Sequence, residues 1–372
     1  MLLDTNYSLN YTTEFCPDAN DDQINNLLLC SFFLEGVLQF IISVLGMLGN
    51  IAAIFLLTRS KLSSFFNQLL AILASYDLIY LFTMVMESVR RLGFETDIQL
   101  FLFPFFLYPL NSIALTGSIF MTVALATERY IAVYFPLHYH KVLTDTTSHR
   151  GRFLTYLLPI TLIALIVNIP KFLESKVSQI EDGESFVDVT DLRTNHIYIT
   201  YYHNWFRLLF LGIIPFFAIS FLNTKIYIAV RRRRNVRRNK EEHMSVILIL
   251  IITIFLFCHL PRLALNMHET FVLESISMCE NSLLGGFPHW IILTGFISHV
   301  FLVINSSANL LIYCILDPKF REQFLKYFCF KKITIRAPQA LINPENQIGA
   351  KDEVISNKSP LNVNERECEH AF

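Results

Sequence analysis

The sequence predicts an all-α membrane protein, with a bundle of seven transmembrane helices and a short amphipathic eighth helix. Hydrophobic residues make up 53% of the 372 residues and charged residues only 16%, and the mean hydropathy is +0.45. Soluble domains carry about 25% charged residues, so this chain has too little polar surface to cover a globule in water. Seven runs reach the roughly 20 apolar residues that crossing a bilayer requires.

The seven predicted spans, in chain order, are residues 33–57, 66–90, 101–134, 153–173, 203–230, 244–270 and 288–314. The third and fifth are longer than a membrane requires, so we expect them to continue as helix into the cytoplasm. A short amphipathic stretch at 317–328 follows the last span. The chain therefore divides into an extracellular N-terminal tail (1–32), the bundle (33–316), helix 8 (317–330) and a polar cytoplasmic tail predicted to be disordered (331–372).

The charges of the loops predict how the chain is oriented in the plasma membrane. Lys and Arg follow spans one, three and five, with the densest run at Arg231–Lys240, whereas the first 29 residues hold no Lys or Arg. Because Lys and Arg are enriched in cytoplasmic loops, the N-terminus is predicted outside and the C-terminus inside. Asn6 and Asn10, each in an Asn-x-Ser/Thr tripeptide, are then candidate glycan acceptors on the outer side.

Polar groups within the spans are the candidates for function, because ionisable residues are costly inside a membrane. Asp77 lies in the middle of span two, and Glu128-Arg129-Tyr130 ends span three. Span seven carries Asn305-Ser306-Ser307-Ala308-Asn309, which continues to Tyr313.

The order and spacing of these groups resemble the motifs of the class A, rhodopsin-like G-protein-coupled receptors, from about residue 33 to residue 330. The matching positions are Asn50, Asp77, Glu128-Arg129-Tyr130, Pro215, Phe255 with Cys258-His259-Leu260-Pro261, and Asn309-Leu310-Leu311-Ile312-Tyr313. The resemblance implies a receptor that couples to a heterotrimeric G protein, with arrestin as a further partner and lipid around the bundle. It also implies a core that transmits the signal through Ile119, Pro215, Phe255 and His259.

Two polar sites follow from the resemblance, and each leaves an alternative open. An oxygen-rich pocket that suits Na⁺ is implied at Asp77, Ser118, Asn305, Ser306 and Asn309; the alternative is a hydrogen-bonded core with water. A latch is implied between Arg129 and both Glu128 and Glu241, unless Glu241 only solvates the end of its loop. The switch region further includes Tyr130, Pro136, Leu137, Asn309 and Tyr313.

Cysteines are where this chain departs most from the family. The position of the family's span-three cysteine falls on Pro104, and the loop between spans four and five contains no cysteine, so both partners of the usual disulfide are absent. In the oxidising exterior Cys16 and Cys279 could pair instead, with Cys30 as the rival partner. Cys329 is either palmitoylated or a free thiol. The chain departs from the family at two further positions. His259 stands where the family has a tryptophan in span six, and Leu310 stands where it has a proline in span seven.

The predicted ligand pocket excludes two ligand classes. Asn111 stands where amine receptors carry an aspartate, so a monoamine would lack its counter-ion, and Val303 stands where opsins carry the retinal lysine. The outer opening of the predicted pocket carries aromatic side chains and charges of both signs, which suits a peptide. The predicted ligand-binding residues are Glu87, Asn111, Trp205, Arg207, Arg262, Asn266 and His299.

Two segments narrow the resemblance further. Phe103-Pro104-Phe105-Phe106-Leu107-Tyr108-Pro109 and the Leu310-containing motif of span seven are similar to the invertebrate FMRFamide-type neuropeptide receptors. Glu87 would then bind an arginine near an amidated peptide C-terminus, unless Arg90 or Arg262 neutralises it. A lipid or other small apolar ligand is the alternative, and a transporter or channel is a remote one, because no internal repeat is found. Neither an enzyme, a required cofactor nor a nucleic-acid partner is expected, since His259 and His299 lie on separate spans without ligands at metal spacing.

Overall fold

The computed structural model describes residues 21–59, 65–94, 96–137, 139, 149–179, 185–233, 240–277 and 288–328. Within these residues, seven helices are long and apolar enough to cross a membrane, so the predicted seven-helix bundle is confirmed. The predicted glycan acceptors Asn6 and Asn10 and the cysteines Cys16, Cys279 and Cys329 lie outside the described residues, as does the tail 331–372. Cys30 is half-buried in the first helix.

The helices of the bundle are labelled α1 to α7, and the amphipathic helix is α8. Their bounds are α1 Asp21–Ser31, Phe32–Leu38 and Gln39–Leu57; α2 Phe65–Arg91; α3 Asp97–Leu102, Phe103–Leu107 and Tyr108–Tyr134; α4 His149–Asn168 with Ile169–Leu173; α5 Tyr198–Phe206, Leu208–Ile213 and Ile214–Arg233; α6 Lys240–Ser277; α7 His289–Ser307 and Asn309–Leu316; and α8 Pro318–Phe328.

The first helix begins earlier than the sequence suggested. It starts at Asp21 rather than at residue 33, so part of the predicted N-terminal tail is helical. The polar residues Asp21, Asp22, Asn25 and Asn26 hide this extension from a hydropathy window. The extension packs against α7, and this tertiary contact extends the helix beyond the apolar run.

A β-hairpin, which the sequence analysis did not predict, lies between α4 and α5. Strand β1 (Ser175–Gln179) pairs antiparallel with β2 (Ser185–Val189), and Ser175 faces Val189. A two-stranded hairpin is marginally stable alone, so its packing against the start of α3 stabilises it. The end of the bundle that carries the hairpin is called the hairpin end below, and the opposite end the helix-8 end.

The two ends of the bundle differ in how they are packed. A continuous hydrophobic core fills the helix-8 half, where Phe320 of α8 is 1% exposed and its ring lies 5.5 Å from that of Tyr313. Four π-helical segments lie in the hairpin half, at Phe32–Leu38, Phe103–Leu107, Tyr198–Phe206 and Leu208–Ile213. Such wide turns occur frequently at functional sites. The π-helical segments therefore indicate that a ligand site lies in the hairpin half.

Candidate functional site

A cavity of about 390 Å³ lies in the hairpin half of the bundle, and each of the seven helices contributes lining side chains. Ligand pockets typically measure about 300–1,000 Å³. Its deepest lining residues are Ile119, Pro215, Phe255 and His259, and the rings of Phe255 and His259 stack with centroids 4.0 Å apart. The cavity thus reaches the four residues that the sequence analysis assigned to signal transmission.

The cavity brings together most of the predicted ligand-binding residues. Those that line it are Glu87, Asn111, Arg207, Arg262, Asn266 and His299. Trp205 does not line it: its side chain is 38% exposed, and its ring packs edge-on against Phe271 with centroids 5.9 Å apart. Trp205 therefore faces outward from α5 while Arg207 faces the cavity.

Glu87 is held by two arginines of its own helix. Arg90 donates to it through Nε at 3.0 Å and through a second nitrogen, and Arg91 donates through Nε at 3.1 Å. The guanidinium of Arg90 also lies over the ring of Phe103, 5.0 Å from its centroid. The contacts favour the alternative in which Glu87 is neutralised within the protein, by Arg90 and Arg91 rather than by Arg262.

A second carboxylate, Glu35 of α1, links three helices across the cavity wall. Its side chain is nearly fully buried, and His299 Nδ1 of α7 lies 2.7 Å from Oε1. Arg91 Nε lies 3.5 Å from Oε2, and Ser31 donates a hydrogen bond to the same oxygen. The other ring nitrogen of His299 faces Arg262 at 3.4 Å. Because an arginine can only donate, the geometry fits a His299 that donates to Glu35 through Nδ1 and accepts through Nε2.

The tightest polar group in the hairpin half is the Lys171–Glu174 cluster, formed by Lys171, Glu174, Tyr108, Tyr198 and His203. Lys171 and Glu174 are each 1% exposed, and Lys171 Nζ lies 2.7 and 2.8 Å from the two carboxylate oxygens. Tyr108 donates to Glu174 at 2.9 Å and Tyr198 at 2.7 Å. The cluster therefore ties the entry to the hairpin to both α3 and α5.

The surroundings keep Glu174 ionised. Burial by itself would raise the pKa of Glu174, but hydrogen bonding by His203, Lys171 and Tyr198 and the charge of Lys171 outweigh it, so the pKa lies well below the ordinary value of 4.5. A buried ion pair is tolerated only when its remaining lone pairs and protons form hydrogen bonds. Here Tyr108 and Tyr198 donate to the remaining lone pairs of Glu174.

Asp77 is the centre of a buried network in the middle of the bundle. Ser118 and Ser306 donate to Oδ1 at 2.8 and 3.0 Å, and Asn309 donates to Oδ2 at 2.7 Å. Among the described contacts, Asn305 makes no hydrogen bond to Asp77. A carboxylate and two hydroxyls are oxygen donors of the kind that hard cations prefer, so these residues fit the implied Na⁺.

At the helix-8 end, the predicted switch residues lie on α3, α7 and the segment after α3. Arg129 is 4% exposed, and its guanidinium carbon lies 3.5 Å from the ring centroid of Phe66. Tyr156 of α4 donates to Glu128 at 2.9 Å. Pro136 and Leu137 are exposed at the end of α3. Glu241 lies in the first turn of α6, and its side chain is outside the part of the chain that the structure describes in atomic contacts.

Comparison with known proteins decides the family. The model of the "7 transmembrane receptor (rhodopsin family)" matches residues 49–313. The chain belongs to this family. Its members are multi-pass receptors of the plasma membrane and are not enzymes, in agreement with the sequence analysis.

Individual relatives show which members of the family the chain is similar to. The chain is 30% identical over 356 residues to the FMRFamide receptor of Drosophila melanogaster; the match covers 90% of this chain and 61% of that receptor, so the chain spans about three fifths of its length. It is 25% identical to the probable G-protein coupled receptor frpr-1 of Caenorhabditis elegans, over 82% of this chain and 80% of that protein. It is 24% identical to the FMRFamide peptide receptor frpr-18 of the same organism, over 76% and 66%. The predicted resemblance to FMRFamide-type receptors is confirmed.

Within this rhodopsin-family receptor, the Lys171–Glu174 cluster makes the connection that the missing disulfide would make. Both link the beginning of α3 to the segment between α4 and α5. The sequence analysis missed the cluster because Lys171 and Glu174 stand at the end of an apolar run and look like ordinary flanking charges. Their spacing of three residues was the available signal, since residues so spaced share one helix face. Glu35 gave a weaker signal, as a lone carboxylate inside the first span.

Proposed function

We propose that this chain is a G-protein-coupled receptor for an extracellular neuropeptide, of the amidated FMRFamide-like class, and that the hairpin end faces outside. The main support for this proposal is the cavity, because one cavity is lined both by charged groups near the hairpin end and by Phe255 and His259 of α6. The Lys and Arg of the loops at the helix-8 end support this orientation. The names of the FMRFamide receptors to which the chain is similar support the ligand class.

The chemistry of the cavity favours a peptide over a lipid or another small apolar ligand. Its lining includes Arg207, Arg262 and Glu269, together with the hydrogen-bonding amides of other residues. Charged walls are costly to bury against a purely apolar ligand, whereas a peptide can pair with them. A receptor that responded to lipids and not to peptides would support the alternative.

In this proposal, the agonist acts by preferring the conformation in which α6 has moved outward at the helix-8 end. A ligand shifts such an equilibrium only by its difference in affinity for the two states. Contacts with Phe255 and His259 at the bottom of the cavity provide that difference, since both belong to α6. The outward movement would make the buried Arg129 accessible to the G protein, beside Pro136 and Leu137, which are already exposed, with arrestin as a later partner of the same face.

The Asp77 network is proposed to hold Na⁺ when α6 is in its inward position. Asp77, Ser118 and Ser306 would supply ligand oxygens, and Asn309 would orient the carboxylate. The ion would neutralise a charge that is otherwise buried between α2, α3 and α7.

Cells that express the chain test the proposal directly. Amidated neuropeptides should evoke calcium or cAMP responses that depend on G-protein nucleotide exchange. Arg129→Gln should abolish exchange at equal surface expression, because Arg129 is the proposed contact of the G protein. Undiminished exchange by this variant would contradict the coupling mechanism, and peptide-driven uptake or current without exchange would favour a transporter or channel.

A further inference from the structure

The residues that line the cavity include more cations than carboxylates. Five lining residues are cationic and three are carboxylates: Arg90, Arg91, Lys171, Arg207 and Arg262 against Glu35, Glu87 and Glu269. His203 and His299 also line the cavity. A ligand that filled this space would therefore meet an excess of hydrogen-bond donors with positive charge.

Most of these cations already have a carboxylate partner. Arg90 and Arg91 pair with Glu87, and Lys171 pairs with Glu174. Arg207 differs: within the described part of the chain it makes no ion pair or hydrogen bond, and its Nη1 is buried without a hydrogen-bond partner. A buried, unsatisfied guanidinium N–H is unfavourable, so it is a natural position for an acceptor that arrives with the ligand.

The surroundings of Arg207 strengthen the need for an acceptor. Lys171 lies 2.7 Å and Arg193 lies 3.9 Å from the carboxylate of Glu174. Glu174 is the nearby carboxylate, and it is already engaged by Lys171 and two tyrosines. The carboxylate of Glu174 is therefore not available to pair with Arg207.

The wall below Arg207 is apolar. Leu211, Pro215 and Phe216 line the cavity at the next turns of α5, toward its deepest part. Arg207 itself lies at the junction of the two π-helical segments Tyr198–Phe206 and Leu208–Ile213. The side of α5 that faces the cavity therefore presents one guanidinium above an apolar surface.

We propose that Arg207 binds an oxygen acceptor of the ligand, a carboxylate or a carboxamide oxygen, whose neighbouring aromatic side chain packs on Leu211, Pro215 and Phe216. The planar fork of a guanidinium matches such an acceptor better than an ammonium does. This assignment rests on the proposed function, in which the ligand is a peptide. It places the C-terminal aromatic residue and its terminal carboxamide beside α5, and it makes Arg207 rather than Glu87 the main charged contact.

A test without the peptide uses small probes and the purified full chain. N-acetylphenylalanine and N-acetylphenylalaninamide should both raise the Tm of the wild type, the carboxylate more strongly because its hydrogen bond is charge-assisted on both sides. Arg207→Gln should lose this stabilisation and Arg207→Lys should keep part of it. Arg90→Gln is the matched control, because Arg90 lines the same cavity but is already paired with Glu87, and it should keep the stabilisation.

Probes that do not stabilise the wild type, or that stabilise Arg207→Gln equally, would overturn the assignment. An equal loss in Arg90→Gln would also overturn it, because the effect would then follow the net charge of the cavity. The Tm of each variant without probe distinguishes lost binding from misfolding. If Arg207→Gln does not fold, the reduced stabilisation expected of Arg207→Lys is compared with that of the wild type instead.

The peptide itself provides the second measurement. The amidated tetrapeptide Phe-Met-Arg-Phe should require about 10–100-fold higher concentrations for half-maximal calcium response in Arg207→Gln, as expected for losing one hydrogen bond to a charged group. The shift in Arg90→Gln should be smaller. If the wild type ignores this peptide while the small probes still bind through Arg207, the peptide class in the proposed function fails and the acceptor site stands.

Discussion

Replacement of Lys171 by methionine would remove the closest cation of the buried carboxylate of Glu174 and leave only Arg193 and His203, each at 3.9 Å. Lys171 and Glu174 are each 1% exposed, and their ion pair is 2.7 Å long. Removing one partner of a buried ion pair costs about 3–5 kcal/mol, because the remaining charge is uncompensated. We therefore expect Lys171→Met to lower the free energy of unfolding by up to this amount, because Arg193 still compensates the carboxylate in part.

The double variant Lys171→Met with Glu174→Met removes both charges. It also loses the hydrogen bonds that Tyr108 and Tyr198 donate to Glu174, which is a cost that the removal of both charges offsets in part. Replacing a buried pair by apolar side chains is often close to neutral, so the double variant should lose less stability than Lys171→Met. It should be more stable than either single variant.

Thermal unfolding of the purified protein in detergent, together with surface expression, measures this order. Lys176→Met is the matched control, because Lys176 pairs with Asp188 at 3.5 Å on the hairpin but is 50% exposed. An exposed pair contributes about 0–1 kcal/mol, so this variant should behave like the wild type. A Lys171→Met variant as stable as the control, or a double variant no better than the single ones, would refute the idea that the cluster stabilises the hairpin end.

Three further predictions follow from the same contacts. Because the pKa of Glu174 is lowered in the folded protein, its stabilising contribution is complete above the ordinary value of 4.5 and is lost as the pH falls below it. The Tm difference between wild type and Glu174→Gln should accordingly be constant near neutral pH and shrink in acid; a difference independent of pH would argue against an ionised Glu174. If Na⁺ binds at Asp77, exchanging KCl for NaCl should weaken agonist binding to the wild type but not to Asp77→Asn, and equal behaviour of the two would favour a core with water alone. Glu87→Gln should raise the peptide concentration for half-maximal response by less than about tenfold, because Arg90 and Arg91 already engage the carboxylate; a larger shift than that of Arg207→Gln would restore Glu87 as the partner of a ligand arginine.

The residues of the candidate site could be predicted from the sequence where they belong to a family motif or stand at a known distance from one. Asp77, Ser118 and Asn309 meet although they are far apart in the chain, and their positions relative to the motifs were enough to predict the contact. Asn305 was included by the same reasoning, yet none of the described hydrogen bonds joins it to Asp77. A neighbouring turn of a helix can face away, and the motif spacing does not carry that information.

Charges near the hairpin end were harder to interpret from the sequence. Glu87, Arg90, Arg207 and Arg262 were all recognised as residues of the outer opening of the pocket. The sequence left open whether Glu87 pairs with Arg90, which it does, and it did not reveal that Arg207 has no such partner among the described residues. The pairs of Glu87 lie within α2, whereas the absence of a partner for Arg207 in the described part of the chain depends on distances between different helices, which follow from packing.

The number of helices and the family could be read from the chain alone. Transfer of a segment into hydrocarbon is close to a sum over its own residues, so local hydropathy determined which segments cross the membrane. The earlier start of α1 at Asp21, the hairpin of β1 and β2, and the burial of Lys171 with Glu174 were decided by tertiary contacts. Each is locally unfavourable or marginal, and only contacts with distant segments of the chain make it stable.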